Sequence, residues 1–255
     1  MHFISTGQSF PLSYYIGIKS ASLIGDVKLW YTTLPISKYF FRIVDKVESQ
    51  QIIKPQFKIL DDKSIHFRNV CVFDYLAWKI LSHYGGSIMG LDSITIAPFQ
   101  HLIGDSEIMA GHDSQKNIES IAMHGATVVR DSKIALDIFN EICRNLRGTR
   151  NINSKFNAFD SNGLKFGGSG IIPFKNNILD KKNIDKVKLL PFGILGGYIN
   201  DGNPFYLYQQ TSTMPIPNAR TIPFYSTSTD MSKNITEESI DGTLIGNLVK
   251  KLNII

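Results

Sequence analysis

The feature that most constrains the fold is a continuous segment over residues 73–96. Residues 72–84 have the length and apolar spacing of a helix, and a pair of glycines follows them. Residues 88–96 then form an apolar run of strand length. A helix that passes through a tight glycine turn into a buried strand is typical of α/β proteins. We therefore expect a sheet covered by helices.

The N-terminal part indicates that the strands of this sheet are parallel. Residues 2–5 and 27–31 have the pattern of short buried strands. Residues 13–24 between them have helical spacing, and Pro11 stands just ahead, where the start of a helix tolerates it. A β-α-β order places two parallel strands in one sheet beneath a covering helix.

The rest of the chain predicts one α/β domain over residues 1–255. The predicted elements are a helix at 36–48, a strand at 56–60, strands at 106–112 and 119–129, and helices at 133–145 and 241–252. The C-terminal third is rich in Pro, Gly, Ser and Thr, which indicates irregular structure. The predicted fold class is a mixed, mainly parallel central sheet flanked by helices, with an irregular C-terminal third.

The charge and the cysteine count narrow the classes of function. A net charge of +5 suits a polyanionic partner such as a nucleoside diphosphate, a nucleic acid or an anionic membrane surface. The sequence lacks an aromatic–basic stripe, which argues against nucleic acid. The two cysteines, Cys71 and Cys143, do not indicate a disulfide scaffold. His112 and His124 have no second ligand at metal spacing, and we interpret both as structural.

The sequence also predicts a cytoplasmic protein. The first residues do not have the basic stretch and apolar run of a signal peptide. No apolar run is long enough to cross a bilayer, so we expect no transmembrane segment.

Two carboxylates and a glycine pair carry the chemistry of the 73–96 segment. Asp74 either caps the predicted helix or binds a ligand. Gly85 and Gly86 either stop that helix or allow a ligand to approach the backbone closely. Asp92 lies inside an apolar strand, where an acid is costly unless it is paired or liganded. Ligands of α/β proteins bind at the carboxyl ends of the strands, which favours a functional role for Asp92.

These residues resemble the glycosyltransferases with a DxD sugar-binding region, family 32 and its relatives. The hallmark of that family is a Ser-Asp pair, an Arg three residues after the Asp, Tyr-Gly-Gly, and a strand ending in Asp-x-Asp. Asp74 matches the first Asp, Tyr84-Gly85-Gly86 the glycine turn, and Asp92 the last Asp, without a gap. The resemblance implies a GT-A-like fold and the transfer of a hexose from a nucleoside diphosphate sugar donor. The acceptor would be a hydroxyl on a glycan, lipid or protein, and the configuration would be retained.

The resemblance also implies roles for individual residues. Asp92 would anchor the donor diphosphate and a divalent metal, Mn²⁺ or Mg²⁺, and Asp74 would bind hydroxyls of the donor sugar. These two would be the catalytic residues. The donor-binding residues would be Tyr84, Gly85, Gly86, Ser87, Gly90 and Ser5, the last at the end of the opening strand. Residues 166–171 resemble a turn that lies near the acceptor in the family.

The sequence departs from the family pattern at residues that bear on the chemistry. Ala77 stands where the hallmark has Arg, Gly90 stands where the DxD has its first acid, and residues 221–228 occupy the region of a family histidine. With Asp92 as the remaining acid, an ion would need oxygens from diphosphate and water. We therefore expect weak or dispensable metal dependence, and stronger manganese binding in Gly90→Asp. The alternative interpretation is a non-catalytic sugar-nucleotide or glycan-binding protein that kept the fold.

Overall fold

The computed structural model describes residues 1–112, 121–150, 154–195, 218–223 and 235–255. Its α-helices are α1 Leu12–Ser22, α2 Lys38–Val44, α3 Ile65–Tyr84, α4 Lys133–Leu146, α5 Ile171–Ile178 and α6 Leu244–Lys251. Its β-strands are β1 His2–Ser5, β2 Lys28–Tyr31, β3 Glu48–Gln51, β4 Gly86–Met89, β5 Ser93–Thr95, β6 Ile108–His112, β7 Ile121–Val128, β8 Phe159–Asp160, β9 Gly163–Leu164, β10 Val187–Leu190 and β11 Thr221–Pro223.

The central sheet is mixed and mainly parallel. In the described part of the chain it has seven strands in the order β10-β6-β7-β4-β1-β2-β3. The strands β1, β2, β3 and β4 run parallel, and β6 and β10 run parallel to each other. β7 is antiparallel to both of its neighbours, β4 and β6. This topology confirms the predicted fold class and the predicted β-α-β unit of β1, α1 and β2.

Helices cover both faces of this sheet. Phe3 and Leu29 belong to a core that includes side chains of α1, α2 and α6. Ile4 and Trp30 belong to a second core, which includes side chains of α3, α4 and α5. Because successive strand residues point to opposite faces, strands that are buried on both faces have continuous apolar sequences. This explains why the inner strands could be predicted from short apolar runs.

Helix α3 begins seven residues earlier than predicted. The Ser64 side chain caps it by accepting a hydrogen bond of 3.2 Å from the Phe67 N–H. The first turn is largely exposed, so the apolar spacing used for the prediction does not extend into it. Asp74 therefore lies in the middle of α3, and the interpretation of Asp74 as a helix cap is wrong.

The predicted strand at 88–96 is two strands joined by a turn. β4 ends at Met89 in the central sheet, and β5 begins at Ser93 and pairs antiparallel with β11. Asp92 lies in the turn of residues 90–92 and is half-buried, so the expectation of an acid inside a buried strand is wrong. The apolar composition continues across the turn, which is why the sequence does not show the break.

Two further predictions need correction. The predicted helix at 36–48 ends at Val44, and the strand β3 begins at Glu48. β3 is an exposed, polar edge strand without apolar alternation, and its Glu48 pairs with Lys28 of β2 at 2.5 Å. The predicted strand at 56–60 is a 3₁₀ turn, Lys58–Leu60.

The later part of the chain is more regular than predicted where it is described. The strands and helices predicted at 106–112, 119–129, 133–145 and 241–252 are confirmed as β6, β7, α4 and α6. Helix α5 and strand β10 were not predicted. Much of the predicted irregular third, residues 196–217 and 224–234, lies outside the described residues. No helix in the described ranges has both the length and the apolarity that a membrane span requires.

Candidate functional site

The sheet has a topological switch point between β1 and β4. From β1 the chain moves outward through β2 and β3, and it then returns to the other side of β1 as β4. In open α/β sheets, ligands bind in the crevice outside the carboxyl ends of the strands at such a point. Phe3 of β1 pairs with Met89 of β4. Because the two strands are parallel, the same register two residues later places Ser5 beside Leu91. Ser5 and the 90–92 turn therefore lie at the edge where a ligand is expected.

Two buried hydroxyls at this edge have no hydrogen-bond partner in the described part of the chain. Ser5 Oγ and Thr32 Oγ1 have no hydrogen-bond partner among the residues that the structure describes. The two residues are neighbours, because the Thr32 N–H donates to Ser5 O at 3.0 Å. A buried hydroxyl without a partner costs about 1–3 kcal/mol, so a ligand that hydrogen-bonds this pair would recover that cost. Ser5 was predicted, whereas Thr32 follows an aromatic strand and belongs to no motif.

Side chains from two other residues bind the backbone N–H and the backbone carbonyl of Gly90, the first residue of the 90–92 turn. The Gly90 N–H donates to His124 Nδ1 at 3.1 Å, and Ser93 Oγ donates to Gly90 O at 2.8 Å. His124 comes from β7 and is anchored on its other side, where Nε2 lies 3.1 Å from Thr221 Oγ1 of β11. Three strands therefore meet around the residue that precedes Leu91 and Asp92.

Helix α1 packs directly against the backbone of the same turn. A Cβ atom added at Gly17 would lie 2.5 Å from Leu91 O and 2.7 Å from Ser93 O. Since Cβ atoms do not approach backbone oxygens this closely, only glycine allows the helix to lie directly on the turn. Gly17 belongs to the predicted helix at 13–24, but its role in the site depends on a contact that the sequence does not show.

His124 is a neutral imidazole in this arrangement. Its burial lowers its pKa to about 4, and the charge of Asp92 opposes that shift only in part. Because Nδ1 accepts the Gly90 N–H, the ring proton is on Nε2, which donates to Thr221. No sequence motif marks this role, because the pairing of β4 with β7 brings together residues that are 34 positions apart.

Asp74 lies on α3, buried against the segment that precedes α5. Ser169 Oγ donates to Asp74 Oδ2 at 2.8 Å, and a Cβ atom at Gly170 would overlap the carboxylate. Burial raises the pKa of Asp74 to about 7, and the Ser169 hydrogen bond opposes this rise. The carboxyl group is therefore partly protonated near neutral pH. Ser169 is in the stretch 166–171 whose resemblance to the acceptor-side turn was noted.

Asp74 also lies on the carboxyl side of the sheet. It precedes the end of α3 at Tyr84 by ten residues, about 15 Å of helix. Gly90 follows Gly85, the residue at the end of α3, by about 16 Å of extended chain. Since α3 and β4 run in opposite directions and α3 contacts β4, Asp74 and the 90–92 turn lie at similar heights along the sheet.

The glycine turn lies at the opposite edge. Gly85 ends α3 with a φ of 68°, and its carbonyl accepts a hydrogen bond of 3.0 Å from His2 Nε2. A Cβ at Gly86, whose φ is 87°, would lie 2.9 Å from the same nitrogen. The Tyr84 ring packs against Trp30 with centroids 5.6 Å apart. The length of β4, about 13 Å, separates this group from the 90–92 turn. These contacts give the three residues a packing role, and their donor contacts stay a prediction.

Ser87 is engaged within the sheet. Its Oγ lies 2.8 Å from Thr127 Oγ1, which donates to Gly125 O at 3.0 Å. Ser87 therefore donates to Thr127 and ties β4 to β7. Unlike Ser5, it is a buried hydroxyl with a partner, and its predicted donor contact is likewise untested.

The described residues provide a limited set of metal ligands. Among them, no three His, Cys, Asp or Glu side chains form a group that could hold a metal ion. Beside Asp92, both ring nitrogens of His124 are directed at other groups. The Asp92 carboxylate therefore fits an ion whose other ligands are phosphate and water oxygens. Of the region 221–228, residues 224–228 lie outside the described residues.

Comparison with known proteins gives structural similarities without a sequence match. No protein-family profile and no curated protein sequence matches the chain. Several solved structures are similar in fold, among them three glycosyltransferases. The PaToxG glycosyltransferase has 15% identity and a TM-score of 0.46, over 72% of each chain. The glycosyltransferase GlyE of Streptococcus pneumoniae TIGR4 has 11% identity and a TM-score of 0.47, over 99% of this chain and 64% of GlyE.

The galactosyltransferase LgtC, solved in complex with donor and acceptor sugar analogs, has 10% identity and a TM-score of 0.48. The similarity covers 99% of this chain and 95% of LgtC. At such low values, the function has to be inferred from the side chains of this chain.

Proposed function

We propose that this chain is a glycosyltransferase that moves a hexose from a nucleoside diphosphate sugar to a hydroxyl on a glycan, lipid or protein, with retention of configuration. The observation that carries the proposal is the position of Asp92, in a turn at the switch point of the sheet. Two buried hydroxyls without described partners, those of Ser5 and Thr32, lie at the same edge. The match of Asp74 and Asp92 to the family hallmark supports the same function.

The donor would lie along the carboxyl ends of β1, β2 and β4. Ser5 and Thr32 would hydrogen-bond its nucleoside portion, and Asp74 would bind hydroxyls of the sugar. Asp92 would hold the diphosphate through a divalent ion, Mn²⁺ or Mg²⁺, brought in with the donor. When bound, that ion would offset the charge of the departing diphosphate.

The reaction exchanges one bond for another at the anomeric carbon. The acceptor oxygen bonds to that carbon while the bond to the β-phosphate oxygen breaks, and the acceptor proton passes to the phosphate that leaves. Asp74 and Asp92 act by fixing the sugar and the diphosphate in the reactive geometry. The net charge of +5 favours encounter with a polyanionic donor. Cytoplasmic location and the absence of a nucleic-acid partner belong to the same proposal and await their own tests.

One observation favours a second candidate, a non-catalytic protein that binds sugar nucleotides. Ala77, at the position of the family arginine, is fully buried in the core of the α3 face. The cation of the hallmark is therefore lost from this position, which weakens stabilisation of the leaving diphosphate.

A donor-hydrolysis assay separates the two candidates. The chain is incubated with UDP-glucose, UDP-galactose, UDP-N-acetylglucosamine and GDP-mannose, with and without Mn²⁺, and released diphosphate is measured. A transferase hydrolyses its donor slowly without acceptor, whereas a binding protein is stabilised by the ligand without turnover. In the same samples, a ligand at 100 times its Kd raises the unfolding free energy by about 2.7 kcal/mol. If no member of the panel is hydrolysed and none stabilises the chain, both candidate functions are refuted.

A further inference from the structure

The glycine at position 90 is not required by its backbone conformation. Gly90 does not adopt the left-handed φ that favours glycine, in contrast to Gly85 and Gly86. An L-amino acid could therefore take the same backbone angles without strain. The reason for a glycine at the first position of the DxD-like motif must lie in its surroundings.

Those surroundings are occupied by His124. A Cβ atom added at Gly90 would lie 3.3 Å from His124 Nδ1 and 3.0 Å from Asp92 Oδ1. Both distances are shorter than an ordinary contact between carbon and a polar atom, so a side chain at position 90 needs one neighbour to move. The imidazole, held by Thr221 on its far side, thus takes space beside the Cα of Gly90 that a longer residue would need.

The imidazole also fixes the turn through a directional bond. Nδ1 accepts the Gly90 N–H at 3.1 Å, while Ser93 Oγ donates to the carbonyl of the same residue at 2.8 Å. With both polar groups of Gly90 fixed, the peptide planes on either side of it are set. These planes fix the first part of the turn that leads to Asp92, two residues later.

We propose that His124 is a positioning residue that replaces the missing side chain of position 90. From the neighbouring strand it fills the space beside Gly90, fixes the 90–92 turn through Nδ1, and aims Asp92 at the donor. The donor part of this inference rests on the proposed function, whereas the control of the turn does not.

The pairing of a glycine with a histidine changes the expectation for Gly90→Asp. With His124 in place, the side chain of an aspartate at position 90 would be in close contact with His124 and Asp92, which hinders it from binding an ion. We therefore expect Gly90→Asp alone to disturb the turn and to weaken donor binding. Stronger manganese binding is expected only when His124 is also shortened, as in Gly90→Asp combined with His124→Ala.

Two matched variants test the positioning role in the full-length chain. In His124→Asn, the side-chain Oδ1 can take the place of Nδ1 and still accept the Gly90 N–H, but it cannot reach Thr221. In His124→Gln, the side chain is closer to His in size and can reach Thr221, but it lacks an acceptor at the position of Nδ1. Amide hydrogen exchange at Gly90 is measured by NMR, and affinity for the four nucleotide sugars named above is measured by calorimetry.

We expect His124→Asn to keep the Gly90 amide protected and to bind the donor within about threefold of the parent chain. We expect His124→Gln to lose that protection and to bind about fivefold more weakly or worse, the loss that one net hydrogen bond accounts for. In the parent chain, a scalar coupling across the N–H···N bond between Gly90 and His124 gives a direct signature.

The opposite ranking of the two variants, with His124→Gln closer to the parent than His124→Asn, overturns the inference. If the parent binds a donor and Gln matches it while Asn does not, His124 acts through its size or its contact with Thr221, and the proposed function still stands. If the parent binds none of the four sugars, the donor role of His124 fails together with the proposed function. Equal Gly90 exchange in all three proteins would refute control of the turn, whatever the binding result.

Discussion

At the scale of single residues, the candidate site combines buried polar groups of two kinds. Ser87 and Asp74 have partners within the protein, whereas Ser5 and Thr32 have none among the described residues. The sequence predicted Asp74, Ser5 and Asp92 because they match a motif or a strand end. It did not predict Thr32, because the difference between a satisfied and an unsatisfied hydroxyl exists only after the strands are paired.

The unpaired hydroxyls give a prediction that separates binding from stability. Ser5→Ala and Thr32→Val are expected to leave the unfolding free energy unchanged or slightly higher, because each removes a buried group that has no partner among the described residues. Both should weaken nucleotide-sugar binding by about fivefold per lost hydrogen bond. The control is Ser87→Ala, which breaks the bond to Thr127 and should lower stability by about 1 kcal/mol. Urea unfolding and calorimetry check the two effects, and equal losses of stability in all three variants would contradict the assignment.

Asp74 predicts a pH dependence of stability. Its pKa is about 7 in the folded chain, against an ordinary value of 3.8, so between these values the folded state holds a proton that the unfolded state has lost. The contribution of this proton to the unfolding free energy is complete below about pH 4 and is lost as the pH rises through 7. Asp74→Asn mimics the neutral form, so its stability relative to the parent should rise from pH 5 to pH 8.

Urea unfolding at a series of pH values measures this difference. The exposed Asp62→Asn is the matched control and should follow the parent curve. If Asp74→Asn also runs parallel to the parent over the whole range, burial does not govern the ionisation of Asp74.

At the scale of helices and strands, the sequence predicted the elements whose apolar residues form either a continuous run or a helical period. β1, α1, β2 and α4 have that pattern, and they were found near the predicted positions. β3 and the first turn of α3 were missed because they are exposed and polar, so no apolar period marks them. The break between β4 and β5 was missed for the opposite reason, since apolar residues continue through the 90–92 turn.

The packing of α1 on that turn predicts the result of Gly17→Ala. Helix propensity alone would stabilise the variant by about 1 kcal/mol. The added methyl group meets Leu91 O and Ser93 O, which are backbone atoms and cannot rotate away. We expect the clash to dominate, with a net loss of about 1–3 kcal/mol, and donor affinity to fall because the turn shifts.

Chemical denaturation and calorimetry of Gly17→Ala measure both effects. Ser22→Ala, in the last turn of the same helix, is the control for propensity without a contact to the turn. A Gly17→Ala variant as stable as the parent, with equal affinity, would show that α1 does not support the turn.

At the scale of the whole molecule, the fold was more predictable than the site. The β-α-β order requires parallel strands and covering helices, so one local pattern determines much of the sheet. The candidate site combines Ser5, Thr32, Asp92 and His124 from the ends of β1, β2 and β4 and from β7, while Asp74 of α3 lies at a similar height along the sheet. Only the residues of one continuous segment, 73–96, could be read as a motif. The assembly of the others depends on strand order and register, which the sequence did not provide.

The most direct test of the central claim compares the parent chain with Asp92→Asn. The substitution keeps the shape of the side chain and removes the charge that would anchor the diphosphate and its ion. Calorimetry and donor hydrolysis are measured with the four nucleotide sugars and Mn²⁺, and circular dichroism and thermal unfolding verify the fold. We predict that the parent binds at least one sugar nucleotide, and that Asp92→Asn folds normally but no longer turns the donor over. A parent that gives no binding heat with any of them, or an Asp92→Asn chain that turns over donor like the parent, would contradict the account.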